Sequence, residues 1–194
     1  MAKLPHRSAS PIAESTLRII GGLHRGRKLT IPALPGLRPT ADRTRETLFN
    51  WLQFDIVDMN VLDLFAGTGA LGLEALSRGA QSAVFVEPQA QAAEGIARSL
   101  QTLVLPQGAV QRMMAQQFLA STAQRFDLIF VDPPFSADLW SATLDSLLAA
   151  NILTEGGFIY LECPKSQAID IPQPWAAVKD KTAGNVRIRL LAGH

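Results

Sequence analysis

Cysteine is all but absent from this chain: Cys163 is the only one in 194 residues. That rules out an internal disulfide, and a single thiol is no zinc framework. Cys163 closes the apolar run Phe158–Cys163, where a buried, inert thiol is expected rather than a nucleophile. Histidine is nearly as scarce. His6, His24 and His194 are scattered without ligand spacing, so no metal is expected. No apolar run reaches the length of about 18 residues that a membrane-spanning helix needs. Met1–Thr16 also lacks the apolar stretch of a signal peptide. Together these absences suit a reducing, cytoplasmic setting with no membrane partner.

Net charge is small as well, only +1, but it is unevenly placed. Residues 1–50 hold nine Lys/Arg against three Asp/Glu, whereas residues 51–194 hold nine against fourteen. A basic first quarter on an acidic body points to an anionic partner held at that end. Residues 1–16 read as a flexible basic tail. Residues 17–54 read as a hairpin and helix forming an extension that faces this anionic partner, and residues 55–194 as the main body.

Apolar runs at Leu17–Ile20 and Lys28–Ile31 flank Gly21-Gly22-Leu23-His24-Arg25-Gly26, a pattern for a hairpin with a basic connection. Thr40 is placed to cap a helix over Ala41–Gln53. Beyond Asn60, strand and helix patterns alternate. Strands are expected at Val61–Phe65, Ser82–Val86, Ala109–Met113, Phe126–Val131 and Phe158–Cys163. Helices are expected at Ala70–Arg78, Gln89–Leu103, Ala115–Gln124 and Ala137–Ala150. This is the signature of an α/β fold with a mostly parallel sheet. Ala176–Lys179 and Val186–Leu191 are joined by a short turn at Ala183-Gly184, so an antiparallel pair should finish the sheet. Ligands of such sheets bind beyond the carboxyl ends of the strands.

The first of these strands runs into Asp63-Leu-Phe-Ala-Gly67-Thr-Gly69-Ala-Leu-Gly72. The glycines allow a tight turn and close approach of a ligand to the backbone, but they also match a dinucleotide fingerprint. Two carboxylates favour S-adenosylmethionine. Asp63 suits a cationic ammonium and sulfonium and would repel a pyrophosphate. Glu87, ending the next strand, can accept both ribose hydroxyls, although dinucleotide sites place an acid there too.

The strand Phe126–Val131 ends in Asp132-Pro133-Pro134-Phe135. Two successive prolines end strand pairing and stiffen the loop. An exocyclic amino group on a base is a poor nucleophile because its lone pair is delocalised into the ring. A carboxylate such as Asp132, accepting one N–H, would localise that pair, and the carbonyl held by Pro133 could accept the other. Phe135 offers a stacking face, worth about 1–3 kcal/mol per base. Methyl transfer then needs chiefly positioning and field.

These motifs resemble the Rossmann-like, class I methyltransferases that act on amino groups of bases. Arg18-Ile-Ile-Gly-Gly, Arg25-Gly-Arg-Lys-Leu, Leu37-Arg-Pro-Thr40 and Asp42-Arg-Thr-Arg-Glu-Thr-Leu-Phe-Asn-Trp51 resemble, more narrowly, the bacterial small-subunit ribosomal RNA guanine-N(2) methyltransferases of the RsmD type. The likeness runs from about Leu17 and is less sharp after Lys165. It implies a monomer with a seven-stranded sheet and an N-terminal hairpin and helix. It also implies methylation of the 2-amino group of one guanine of 16S ribosomal RNA within small-subunit particles. Asp63, Phe65, Ala66, Gly67, Thr68, Gly69, Leu71, Gly72, Glu87, Met114 and Ala115 would then line the cofactor site. Asp132, Pro133, Pro134 and Phe135 would form the catalytic loop. Arg18, Arg25, Arg27, Arg38, Arg43 and Arg45 would meet RNA phosphates. One pair departs from the family pattern: Met114-Ala115 stands where Asn or Asp followed by Ala is common. The adenine contact is thereby left to backbone or to a neighbour such as Gln116.

Three other readings remain open at this level. Asp-Pro-Pro-Phe suits adenine as well as guanine, so an adenine-N(6) DNA or RNA methyltransferase fits too. The glycine pattern admits a NAD enzyme, against which Asp63 counts. Met114 leaves room for an RNA-binding assembly factor without turnover.

Overall fold

The computed structural model describes residues 14–33 and 42–193. Strands β1 (Glu14–Arg18) and β2 (Lys28–Pro32) form a separate antiparallel hairpin, followed by helix α1 (Asp42–Trp51). Then come β3 (Asn60–Asp63), α2 (Ala70–Ser77), β4 (Ser82–Val86), α3 (Ala90–Leu103), β5 (Gly108–Gln111), α4 (Ala115–Ser121) and β6 (Phe126–Val131). A 3-10 turn at Phe135–Ala137 leads into α5 (Trp140–Ala150), β7 (Leu153–Pro164), β8 (Trp175–Ala183) and β9 (Val186–Gly193).

The seven-stranded sheet has the order β5-β4-β3-β6-β7-β9-β8. Strands β3 to β7 are mutually parallel, and β9 runs antiparallel to both of its neighbours. The expected fold class holds, a mostly parallel Rossmann-like sheet with one reversed C-terminal strand. The reversed strand is not at the edge: β9 returns at once from β8 and fills the space beside β7. The winding direction reverses between β3 and β6, the place where open parallel sheets bind ligands. At the opposite, amino end, Asp127 accepts hydrogen bonds from the Asn60 amide at 2.8 Å and the Thr154 hydroxyl at 2.7 Å. One carboxylate thereby ties the starts of β3, β6 and β7 together.

Two apolar clusters cover the two faces of the sheet. One gathers Leu62, Val86, Phe126, Val131, Trp140, Leu161 and Cys163. The other joins the sheet residues Phe85, Phe130 and Tyr160 to Leu17, Ile19, Leu29 and Ile31 of the hairpin and Leu48 and Phe49 of α1. The hairpin is fixed by α2. Buried Glu74 accepts the amides of Ile20 at 2.8 Å and Gly21 at 2.7 Å, and the Ser77 hydroxyl donates to the Gly21 carbonyl.

Several boundaries differ from the sequence reading: β7 begins at Leu153 rather than Phe158, β8 runs on to Ala183 rather than Lys179, and α5 begins at Trp140 after a 3-10 turn. The first strand starts at Glu14, so Glu14–Thr16 are not part of a tail. They pair with Thr30–Pro32, because backbone pairing extends past the last apolar residue. The helix expected to reach Gln124 ends at Ser121, where Thr122 leaves helical backbone angles. Residues 1–13 and Arg38 lie outside the described residues.

Candidate active site

Asp63 is the last residue of β3, and the chain then turns through Gly67 and Gly69 into α2. Both glycines have positive φ, 54° and 77°, a conformation that costs other L-residues strain. The turn is held by two acids. Asp63 is 3% exposed, and its Oδ2 accepts the Gly72 amide at 3.0 Å. Burial, reinforced by the charge of Glu87 and opposed by that amide, pushes the Asp63 carboxyl up to about 7. Glu87, one residue beyond β4, accepts the amide of Gly67 at 2.9 Å and that of Gln89 at 2.8 Å. Burial raises its carboxyl too, against those two amides.

Two desolvated carboxylates facing one glycine turn are costly by themselves. A cationic ligand that also brings hydroxyl donors would relieve both. The donor set therefore fits the ammonium and ribose of S-adenosylmethionine and opposes a pyrophosphate. Phe65 is half-buried at the turn, and Ala66, Thr68 and Leu71 are buried. The Gly72 amide is taken by Asp63, and a side chain at Gly72 would collide with the Phe85 ring. Gly72 thus packs α2 against β4. Met114 stands half-exposed where β5 gives way to α4, with its amide donating to the Gln117 side chain. Ala115 beside it is buried, while Gln116 is exposed.

The second half of the site lies across β3. Asp132 follows the last residue of β6, which pairs in parallel with β3 through Asp63↔Phe130. Asp132 is half-buried and engaged in interactions of its own; Pro133 is buried, and Pro134 and Phe135 are exposed. The Phe135 ring, 43% exposed, leans on Trp140 with centroids 5.9 Å apart. Trp140 is buried and donates its indole N–H to the Glu162 carbonyl at 2.7 Å. The aromatic face of the loop is therefore braced from behind, and Trp140 is a packing residue.

The basic residues divide. Arg18, Arg25, Arg27 and Arg43 are exposed on the hairpin and α1. Arg18 pairs loosely with Asp42 at 3.2 Å. Arg45 is a correction: it has no exposure, sits 2.7 Å from Asp42 and 3.7 Å from Glu74, and donates to the Arg18 carbonyl. It neutralises the buried Glu74 and cannot reach a phosphate. Sequence reasoning also missed Glu74 itself, as well as Tyr160 and Glu162. Glu74 lies in an otherwise helical apolar run, and its only signal was a charge on the buried face. Cys163 is buried, as expected, and burial pushes its thiol up.

The chain is similar to several known proteins. The family model described as conserved hypothetical protein 95 matches residues 17–192. The chain is 43% identical over 189 residues to a ribosomal RNA small subunit methyltransferase D of Escherichia coli K12, covering 97% of this chain and 93% of that one. The Haemophilus influenzae protein of the same name is 41% identical over 185 residues, with 93% and 96% covered. A solved Escherichia coli structure, provisionally described as a methyltransferase, matches with a TM-score of 0.86 at 40% identity, covering 92% of this chain and 98% of that one. With a match spanning nearly every described residue, the chain belongs to the conserved hypothetical protein 95 family, that of the ribosomal RNA small subunit methyltransferases D.

Proposed function

We propose that this protein methylates the 2-amino group of a guanine in 16S ribosomal RNA, using S-adenosylmethionine, within the small ribosomal subunit or its precursor. The observation that carries the reading is the placement of Asp63, Glu87 and Asp132–Phe135 at the carboxyl ends of three adjacent strands, β4-β3-β6. Asp63 would hold the amino acid end of the cofactor through the Gly67–Gly69 turn, and Glu87 the ribose. When bound, the cofactor supplies an electrophilic methyl group. Asp132 would accept one N–H of the base amine, and the Pro133 carbonyl the other, orienting the nitrogen lone pair. Phe135, backed by Trp140, would stack on the base and keep water away. The target base must leave its stack to enter such a site.

The exposed Arg18, Arg25, Arg27 and Arg43 would hold phosphates on the hairpin side. The protein acts as a monomer in the cytoplasm, and no helix among the described residues is long and apolar enough to cross a membrane. The test is methyl transfer from labelled S-adenosylmethionine to unmodified small subunits and to naked 16S RNA, followed by nucleoside analysis. Label in N(2)-methylguanosine is expected. Label in methyladenosine overturns the substrate, and no label on either overturns the reading.

A further inference from the structure

An aspartate, two prolines and an aromatic ring can present any base amine, adenine or guanine, to a methyl group. They do not choose between the two. The strand beside that loop carries a further buried acid, Glu162. In the parallel pairing of β6 and β7, Val131 faces Leu161, so Glu162 is the next residue on β7 as Asp132 is the next after β6, although β7 itself runs on to Pro164. Tyr160 and Glu162, two residues apart, share one face of β7. Tyr160 lies on the face of Phe130, with the two rings 6.0 Å apart and near perpendicular.

The Tyr160 hydroxyl donates to Glu162 Oε2 at 2.6 Å, and both side chains are buried. Burial, and after it the charges of Glu162 and Asp132, push the Tyr160 phenol up. The backbone of Glu162 is bound as well, because its carbonyl receives the Trp140 indole that supports Phe135. One residue therefore holds Tyr160 through its side chain and the support of Phe135 through its backbone. Its carboxylate is held through Oε2 by the Tyr160 hydroxyl. Burial raises that carboxyl against the Tyr160 hydrogen bond, so a further donor would be welcome.

Guanine and adenine differ at this point of the edge. Beside its amino group guanine carries N1–H, a donor, and adenine carries N1 with a lone pair, an acceptor. We propose that Glu162, held by Tyr160, accepts the N1–H of the target base and is the residue that selects guanine over purines whose N1 is unprotonated. The inference rests on the guanine-N(2) reading above and deepens it. A carboxylate facing an N1 lone pair is repulsive, and a charged hydrogen bond lost in a dry site is worth about ten- to a hundred-fold in rate.

The test uses the full chain and small subunits reconstituted with 16S RNA in which the target guanine is replaced by 2,6-diaminopurine. This base keeps the 2-amino group but has an acceptor at N1. Wild type should methylate guanine about ten- to a hundred-fold faster than diaminopurine. In Glu162→Gln the amide can donate to N1, so guanine should slow, diaminopurine should gain relative to it, and the preference should collapse toward parity. S-adenosylmethionine affinity should stay unchanged in the variant. Tyr160→Phe keeps the acid but frees it, and should narrow the preference partway. Equal rates on both bases with wild type would overturn the role of Glu162 while leaving guanine-N(2) methylation standing. Equal slowing of both bases in Glu162→Gln and Tyr160→Phe would assign the pair a purely structural role. Label in adenine, or none with wild type, would overturn the parent reading instead.

Discussion

Asp63 and Asp132 are acids at the ends of adjacent strands, yet their surroundings set them different tasks. Asp63 is buried against its own helix and its carboxyl is pushed up to about 7. In the cofactor-free chain this raised value favours the protonated folded state. The contribution of Asp63 to stability is full below its unfolded value near 3.8 and is lost as pH rises through about 7. A cationic ammonium needs the ionised form. S-adenosylmethionine should therefore bind about an order of magnitude more weakly at pH 6 than at pH 7.5, with release of close to one proton at the lower pH. Calorimetric titration in buffers of different ionisation enthalpy reads this directly, and Asp63→Asn should remove the proton release. In the proposed reaction Asp132 would meet the base rather than the cofactor. Asp132→Ala should keep cofactor affinity within about two-fold and lose roughly a hundred-fold or more in turnover, as loss of a preorganised polar group does. Full activity would refute its role.

Helices and strands explain why some residues misled the sequence reading. The arginines of the first fifty residues look alike in sequence, since all belong to one basic stretch with few acids nearby. The helix that carries Arg43 and Arg45 separates them: two positions apart, they lie on different faces, one in solvent and one against Glu74. Arg43→Ala should weaken RNA binding and flatten its salt dependence by somewhat under one unit of log-log slope, about 0.7–0.9 for a lost phosphate contact. Arg45→Ala should leave that slope unchanged and instead destabilise the fold, by about 3–5 kcal/mol as for other broken buried pairs. Salt-dependent binding assays and denaturant titration of the two variants separate the outcomes. The parallel strands were legible because their apolar runs are continuous. Asp63, Glu87 and Asp132 were legible because each is the first acid after such a run. Glu74, Tyr160 and Glu162 were not, because a polar residue inside an apolar element shows its partners only once helix and strand are packed.

For the molecule as a whole, alternation of strand and helix was enough to give the sheet and the edge that carries the site. The composition shift at residue 50 suggested more separation than the packing has. Leu17, Ile19, Leu29 and Ile31 of the hairpin and Leu48, Phe49 and Leu52 of α1 belong to the same buried cluster as Phe85 and Phe130 of the sheet. Phe49 meets the Phe130 ring edge-on at 6.2 Å, and the Arg78 guanidinium lies 4.9 Å from the other partner of that contact, the ring of Phe49. Glu74 adds buried polar bonds that would be left unmade if the hairpin departed, each costing about 1–3 kcal/mol. An extension attached in this way cannot open by itself without exposing the face of the sheet beneath it. Heating the intact chain should give one transition, with calorimetric and van't Hoff enthalpies equal. The segment 55–194 alone should fail to show a cooperative transition, because it leaves the apolar face under α1 open to water. Two resolved transitions in the full chain, or a cooperative one in the segment, would mean that the hairpin and helix are a separable module that merely rests on the catalytic body.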